Sequence, residues 1–143
     1  MSRAQMAVDL HTKGYNCSQA VFSTYCSKLG IDPEEALKIA CGFGGGMGRL
    51  GETCGAVTGA YMLIGAKYGK VRQDDDQVKE KTYGLVQKFT ERFIEKNGHI
   101  RCRDLLGVDL IKDDKDLIRS KTSIVCSRLI KDASEIIEDM LEL

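Results

Sequence analysis

Cysteine is the residue type in this sequence with the greatest capacity for chemistry, because its thiolate is both a nucleophile and a metal ligand. The 143-residue chain contains six cysteines: Cys17, Cys26, Cys41, Cys54, Cys102 and Cys126. No Cys-x-x-Cys motif is present, so the local signatures of thioredoxin-like, zinc-ribbon and bacterial ferredoxin sites are missing. Any site that several cysteines share must therefore be assembled from different segments of the folded chain.

The composition predicts one soluble domain, residues 1–143, since 43% of the residues are hydrophobic and 29% are charged. Basic and acidic residues number 21 each, and the small cluster of Lys67, Lys70 and Arg72 does not indicate nucleic-acid binding. The first ten residues lack the apolar core of a signal peptide, and the apolar run 56–66 is too short for a membrane span. We therefore expect a cytoplasmic protein without a membrane or nucleic-acid partner, in a compartment that keeps thiols reduced.

Helix signals are plentiful and strand signals nearly absent, which predicts an all-α fold: a compact bundle of about six to seven helices. A glycine-rich loop, Gly42 to Gly51, separates helices three and four. The first three predicted helices are one of about Ser2–Lys13, one that runs from the Asn16 cap to before Gly30, and one that starts at Asp32-Pro33. After the glycine-rich loop we predict helices at about Glu52–Tyr68 and at Asp74–Asn97, a short helical turn at Cys102–Leu106, and a last helix that starts near Ser120.

Four cysteines occupy positions that favour chemistry. Cys17, Cys54 and Cys102 fall at predicted helix starts, where backbone N–H groups and the positive helix end stabilise a thiolate. Arginines on both sides of Cys102 also favour the anion. Cys126 lies on the inward stripe of the last helix, where it meets the other segments.

The two other cysteines fit that picture less well. Cys26 is nine residues after Cys17, about half a turn away around the helix, and is predicted to be a core residue. Cys41 ends helix three and enters the glycine loop, so either a packing or a chemical role is open to it.

Few other side chains are candidates for such a site. His11 and His99 are the only histidines, and the spacing His99-x-x-Cys102 would suit a zinc site, although an exposed histidine is the commoner case. Glu52 precedes Cys54 closely enough to donate a proton, but an acid in a first helical turn needs no such role.

The glycine-rich loop contains a literal G-x-G-x-x-G at Gly46, Gly48 and Gly51. A dinucleotide site also requires a strand before the loop, and the sequence shows no strand there. A Walker A loop requires a following Gly-Lys-Ser/Thr, which is also missing. We predict instead that Gly45, Gly46 and Gly48 bind a compact inorganic cofactor through close backbone approach. The alternative is a tight passage between helices without a ligand.

A second glycine pattern lies at the predicted fourth helix, where Gly51, Gly55 and Gly59 recur every four residues. A smooth helix face of this kind packs closely against another helix or against a second subunit. A homodimer is therefore one expectation.

Taken together, these segments resemble the C_GCAxxG_C_C family, which is described as redox-active, over nearly the whole chain. The segments that carry the resemblance are Asn16–Val21, Gly44–Gly48, the Cys-Gly-Ala-x-x-Gly run Cys54–Gly59, Cys102–Gly107, and Cys126.

The resemblance implies a site of four cysteines, Cys17, Cys54, Cys102 and Cys126, and leaves Cys26 and Cys41 outside it. A similar domain occurs in split-Soret cytochromes, which carry an iron–sulfur cluster besides their haems. Covalent haem is not implied here, because the sequence has no Cys-x-x-Cys-His motif.

Three functions remain open from the sequence. The first is an electron-transfer protein in which the four cysteines bind an iron–sulfur cluster and serve an unidentified redox partner. The second is a metal-free thiol–disulfide oxidoreductase that uses a pair such as Cys17 with Cys54, or Cys102 with Cys126. The third is a structural zinc module with four cysteine ligands.

Overall fold

The computed structural model describes residues 1–143 and contains seven α-helices. They are α1 (Arg3–Thr12), α2 (Cys17–Tyr25), α3 (Pro33–Ala40), α4 (Gly55–Tyr68), α5 (Asp76–Asn97), α6 (Cys102–Leu106) and α7, which runs through Lys115–Lys121, a π-helical turn at Thr122–Cys126, and Ser127–Leu141. Short 3-10 turns at Cys26–Leu29 and Cys41–Phe43 follow α2 and α3. The predicted all-α bundle is confirmed. None of the helices combines the length and apolar character that a membrane span requires.

Helix starts follow the capping signals in the sequence. The Asn16 side chain accepts a hydrogen bond from the Gln19 amide at 2.9 Å, and the Gln19 side chain accepts one from the Asn16 amide at 3.0 Å. Asp32 caps α3 by accepting from the Glu35 amide at 3.1 Å. Each cap satisfies backbone donors that have no partner inside the helix.

The most extensive contact between two helices is that of α2 with α4, and it depends on glycine. A Cβ atom at Gly55 would lie 2.9 Å from the Ser18 amide nitrogen, and one at Gly59 would lie 3.0 Å from the Ser18 carbonyl oxygen. The small-residue face of α4 therefore packs against α2 within the chain. A homodimer would have to use another surface.

Two helix boundaries differ from the sequence-based expectation. Helix α4 begins at Gly55 instead of near Glu52, because the preceding residues pair with another segment, as described below. Helix α7 begins at Lys115 instead of near Ser120, because Asp114 accepts hydrogen bonds from two amides of the first turn, at 3.0 and 3.1 Å.

Candidate metal centre

One cavity of about 520 Å³ brings together all four cysteines that the sequence singled out. They are Cys17, Cys54, Cys102 and Cys126, each buried with between 3% and 8% of its surface exposed. Every cysteine in the chain is a free thiol. Cys41 is exposed but also lines the cavity, whereas Cys26 is fully buried and does not line it. The four cysteines thus share one cavity, and their role as ligands stays a prediction.

Cys17 is positioned by the start of α2 and by the two segments that touch it. It is the first residue of that helix, directly after the Asn16 cap. The Asn16 side-chain amide donates to the Cys41 carbonyl at 2.9 Å, which ties this helix start to the end of α3. A Cβ atom at Gly55 would lie 3.1 Å from the Cys17 Cβ, so a glycine there lets α4 begin beside Cys17.

Cys54 and Cys102 are positioned together by a short antiparallel pairing of the segments 51–54 and 100–103. The Cys54 amide donates to the Ile100 carbonyl at 2.7 Å, and the Cys102 amide donates to the Glu52 carbonyl at 2.6 Å. Cys54 therefore caps α4 instead of lying in its first turn, and Cys102 begins α6. Two residues that are 48 positions apart in the sequence reach the cavity through one local structure.

Cys126 lies at the end of the π-helical turn in α7. Such turns insert an extra residue into a helix and change the direction of the side chains on either side of it. Three hydroxyl groups in and beside this turn, those of Thr122, Ser123 and Ser127, donate to backbone carbonyls three or four residues earlier. This local bonding favours a departure from regular helix, so the sequence around Cys126 supports the turn.

His11 is the site residue that the sequence did not indicate. A ring nitrogen of His11 and the sulfurs of Cys17 and Cys126 all lie within 4.8 Å of one another. The sequence feature that could have indicated His11 is its position six residues before Cys17. His11 lies in the last turn of α1, and Cys17 lies at the start of α2. His99, the histidine considered for zinc, is exposed and does not line the cavity.

A family model with the description "Putative redox-active protein (C_GCAxxG_C_C)" matches residues 15–140, which include all four cavity cysteines. The chain belongs to this family. A protein of Archaeoglobus fulgidus, described as uncharacterized, is 25% identical over 137 residues, covering 91% of this chain and 87% of its own length. No solved structure matches the chain significantly.

In this member of the C_GCAxxG_C_C family, the expectation of three thiolates at helix starts is wrong. Burial raises the pKa of Cys54 to about 12 and that of Cys102 to about 11. A hydrogen bond with Cys126, together with burial, holds the pKa of Cys17 well above its ordinary value. The pKa of Cys126 falls to about 6 through the hydrogen bond with Cys17 and, to a smaller degree, through His11. Loss of water around buried thiols outweighs the helix ends.

The arginines beside Cys102 do not stabilise its thiolate either. The Arg101 guanidinium donates to the Glu52 carboxylate at 3.1 Å, and the Arg103 guanidinium donates to the Leu50 carbonyl at 3.1 Å. Both cations are thus bonded to groups of the loop before α4. Glu52 is held by Arg101 and does not line the cavity, so the structure gives no support for a proton donor at that position.

We expect the reduced, metal-free protein to contain one unusually acidic thiol. Cys126 should lose its proton as the pH rises through about 6, whereas Cys17, Cys54 and Cys102 should remain protonated until well above neutral pH. The ultraviolet absorbance of thiolate, followed against pH, measures this. The acidic step should be missing in Cys126→Ser. A wild-type titration with no step below the ordinary thiol range would contradict the assigned hydrogen bond.

The glycine loop lies beside the cavity, and its members differ in role. Gly45 and Gly48 line the cavity, as does Gly44, so these positions agree with a close approach to a cofactor. Gly46 is buried and does not line it; its close neighbours are the Glu52 backbone and the Cys102 side chain. Position 46 therefore requires a glycine because the chain packs closely against Cys102 there. No strand precedes the loop, so the dinucleotide motif lacks its structural context.

The charge of the cavity lining favours an anionic occupant. None of the residues that line the cavity is an aspartate or a glutamate, and its basic side chains are His11 and Arg49. The aliphatic side chains of the lining are Leu106, Leu110, Ile118 and Leu129. A metal centre with several thiolate ligands carries net negative charge, and this lining presents no carboxylate to repel it.

Proposed function

We propose that this member of the C_GCAxxG_C_C family is a cytoplasmic electron-transfer protein, in which Cys17, Cys54, Cys102 and Cys126 bind an iron–sulfur cluster. The observation that carries the proposal is the convergence of these four buried, free cysteines on one cavity. Thiolates are the standard ligands of such clusters, and four of them complete a common cluster type. When bound, the cluster would supply a one-electron redox couple.

The protein's own contribution is to hold and shield the four ligands. They come from four separate parts of the chain: the start of α2, the cap of α4, the start of α6 and the π turn of α7. Because at most 8% of each cysteine is exposed, water is largely excluded from the sulfurs. Hydrogen bonding and solvent exclusion around the sulfurs are the means by which a protein sets a cluster potential.

The decisive experiment is anaerobic purification from cells that assemble iron–sulfur clusters, followed by assays for iron and acid-labile sulfide and by visible spectroscopy. We expect a coloured protein that contains iron and sulfide in comparable amounts and bleaches on reduction. A colourless, iron-free protein from cells whose other cluster proteins are loaded would overturn the proposal.

Thiol–disulfide exchange is a second candidate function, because one cysteine pair has the required chemistry. The sulfurs of Cys17 and Cys126 lie within 4.8 Å, and the lowered pKa of Cys126 supplies a thiolate. The Cys126 thiolate would attack an external disulfide and release one thiolate. Cys17, on losing its proton, would attack the mixed disulfide and release the second thiolate, so that Cys17 and Cys126 become joined and the external disulfide gains two electrons. The structure favours this pair over Cys17 with Cys54 or Cys102 with Cys126. Mass spectrometry after treatment with oxidised glutathione should then find a Cys17–Cys126 crosslink.

A further inference from the structure

His11, Cys17 and Cys126 form a compact group within the larger cavity. One ring nitrogen and two sulfurs lie within 4.8 Å of one another, which is close enough for all three atoms to reach a single ion. We propose that these residues form a separate site for one divalent, thiophilic metal ion of the zinc class. The site needs neither Cys54 nor Cys102, so it does not depend on the iron–sulfur proposal.

The donor set selects the class of ion. Zinc binds sulfur and imidazole nitrogen in tetrahedral sites, and a set of two cysteines and one histidine leaves the fourth position for another ligand. Here all three donors line the cavity, which has room for such a ligand. Calcium and magnesium need oxygen ligands, and the cavity lining contains no carboxylate. The site therefore suits a borderline or soft ion with one exchangeable position.

The backbone holds the three donors in place before any ion binds. His11 and Cys17 are joined by a tight turn, in which the Gly14 amide donates to the His11 carbonyl at 3.0 Å and the Tyr15 amide donates to the Leu10 carbonyl at 3.2 Å. Helix α1 packs against α7, which carries the third donor, Cys126. A site whose ligands are fixed by secondary structure loses little entropy on binding.

The single-ion site and the proposed iron–sulfur site share two ligands. Both centres use Cys17 and Cys126, so a zinc-class ion and a cluster cannot occupy the cavity together. His11 lies before the residues that the family model matches, which begin at residue 15, so the match covers only two of the three donors. Because it uses Cys17 and Cys126, a single ion at this site would compete with cluster assembly. Zinc-loaded protein should take up less iron than metal-free protein.

Cobalt is the appropriate probe, because tetrahedral Co²⁺ replaces Zn²⁺ and its thiolate ligands give intense charge-transfer bands. The reduced, metal-free double variant Cys54→Ser/Cys102→Ser should bind one Co²⁺ per chain with these bands, and Zn²⁺ should displace it. Adding His11→Ala to the double variant should weaken Co²⁺ binding by about tenfold or more, in the range known for changes around a metal site. His99→Ala is the matched control and should leave binding unchanged, because His99 is exposed.

Failure of the double variant to bind Co²⁺, or equal affinity with and without His11, overturns the single-ion site. If the double variant does not fold by circular dichroism, Cys54→Ser and Cys102→Ser are titrated separately, with the same criteria. A wild-type protein that is purified free of zinc from cells whose other cluster proteins are loaded, carries no cluster and yet binds Co²⁺ through His11 refutes the iron–sulfur proposal alone.

Discussion

Cys102→Ser is expected to abolish iron–sulfur binding, leaving less than about a tenth of the wild-type iron and acid-labile sulfide per chain. The reason is that Cys102 is one of four buried cysteines around the cavity, with 7% of its surface exposed, and no spare cysteine is buried beside it. Cys41, the only other cysteine that lines the cavity, is exposed. Iron and sulfide assays on protein purified anaerobically beside the wild type measure the effect.

Cys26→Ser is the matched control, since Cys26 is also a buried cysteine but does not line the cavity. Its thiol donates to the Ser23 carbonyl at 3.3 Å, a bond that a serine hydroxyl can replace. This variant should keep its iron. Equal loss of iron in both variants would point to damaged folding, and full retention in Cys102→Ser would contradict a four-cysteine centre. In the thiol-exchange alternative, the Cys17–Cys126 crosslink should still form in Cys102→Ser.

The elements that could be predicted from the sequence are those determined by neighbouring residues. The Asn16 and Asp32 caps each bond to an amide three residues later, so a local pattern was sufficient to place α2 and α3. The start of α4 could not be found in this way. Residues 51–54 bond to residues 100–103, and no local signal indicates a partner that distant.

The candidate site likewise has features that the sequence predicts and features that depend on the folded chain. Four cysteines were selected by helix position and by the family resemblance, and all four line one cavity. Their acidity could not be predicted, because it depends on burial and on the hydrogen bond between Cys17 and Cys126, both properties of the folded protein. His11 was missed for a similar reason: it reaches the site through a turn and through the packing of α1 on α7.

Gly46 shows how the glycine loop can act on the site without touching a cofactor. Its φ angle is +64°, in the left-handed region that favours glycine, and it is buried. A Cβ atom there would lie 2.6 Å from the Glu52 amide nitrogen and 2.7 Å from the Cys102 Cβ. Both neighbours belong to the antiparallel pairing that holds Cys102. Any added side chain must therefore displace this pairing.

Gly46→Ala is accordingly expected to lower the free energy of unfolding by about 2–5 kcal/mol, the sum of left-handed backbone strain and overpacking against backbone atoms. That is a large part of the roughly 5–15 kcal/mol that stabilises a typical domain. Urea denaturation of the metal-free protein measures it. Gly84→Ala is the control: Gly84 lies in α5 with no neighbour near an added Cβ, so alanine should stabilise the protein by roughly 0.5–1 kcal/mol.

Iron content separates the effect of Gly46→Ala on the site from its effect on the fold. Because the displaced atoms include the Cys102 Cβ, the folded fraction of Gly46→Ala should contain less iron per chain than Gly84→Ala. If Gly46→Ala is as stable as the wild type, the close contact behind Cys102 is wrong. If it is destabilised but its folded fraction keeps full iron, the loop supports the fold without positioning Cys102.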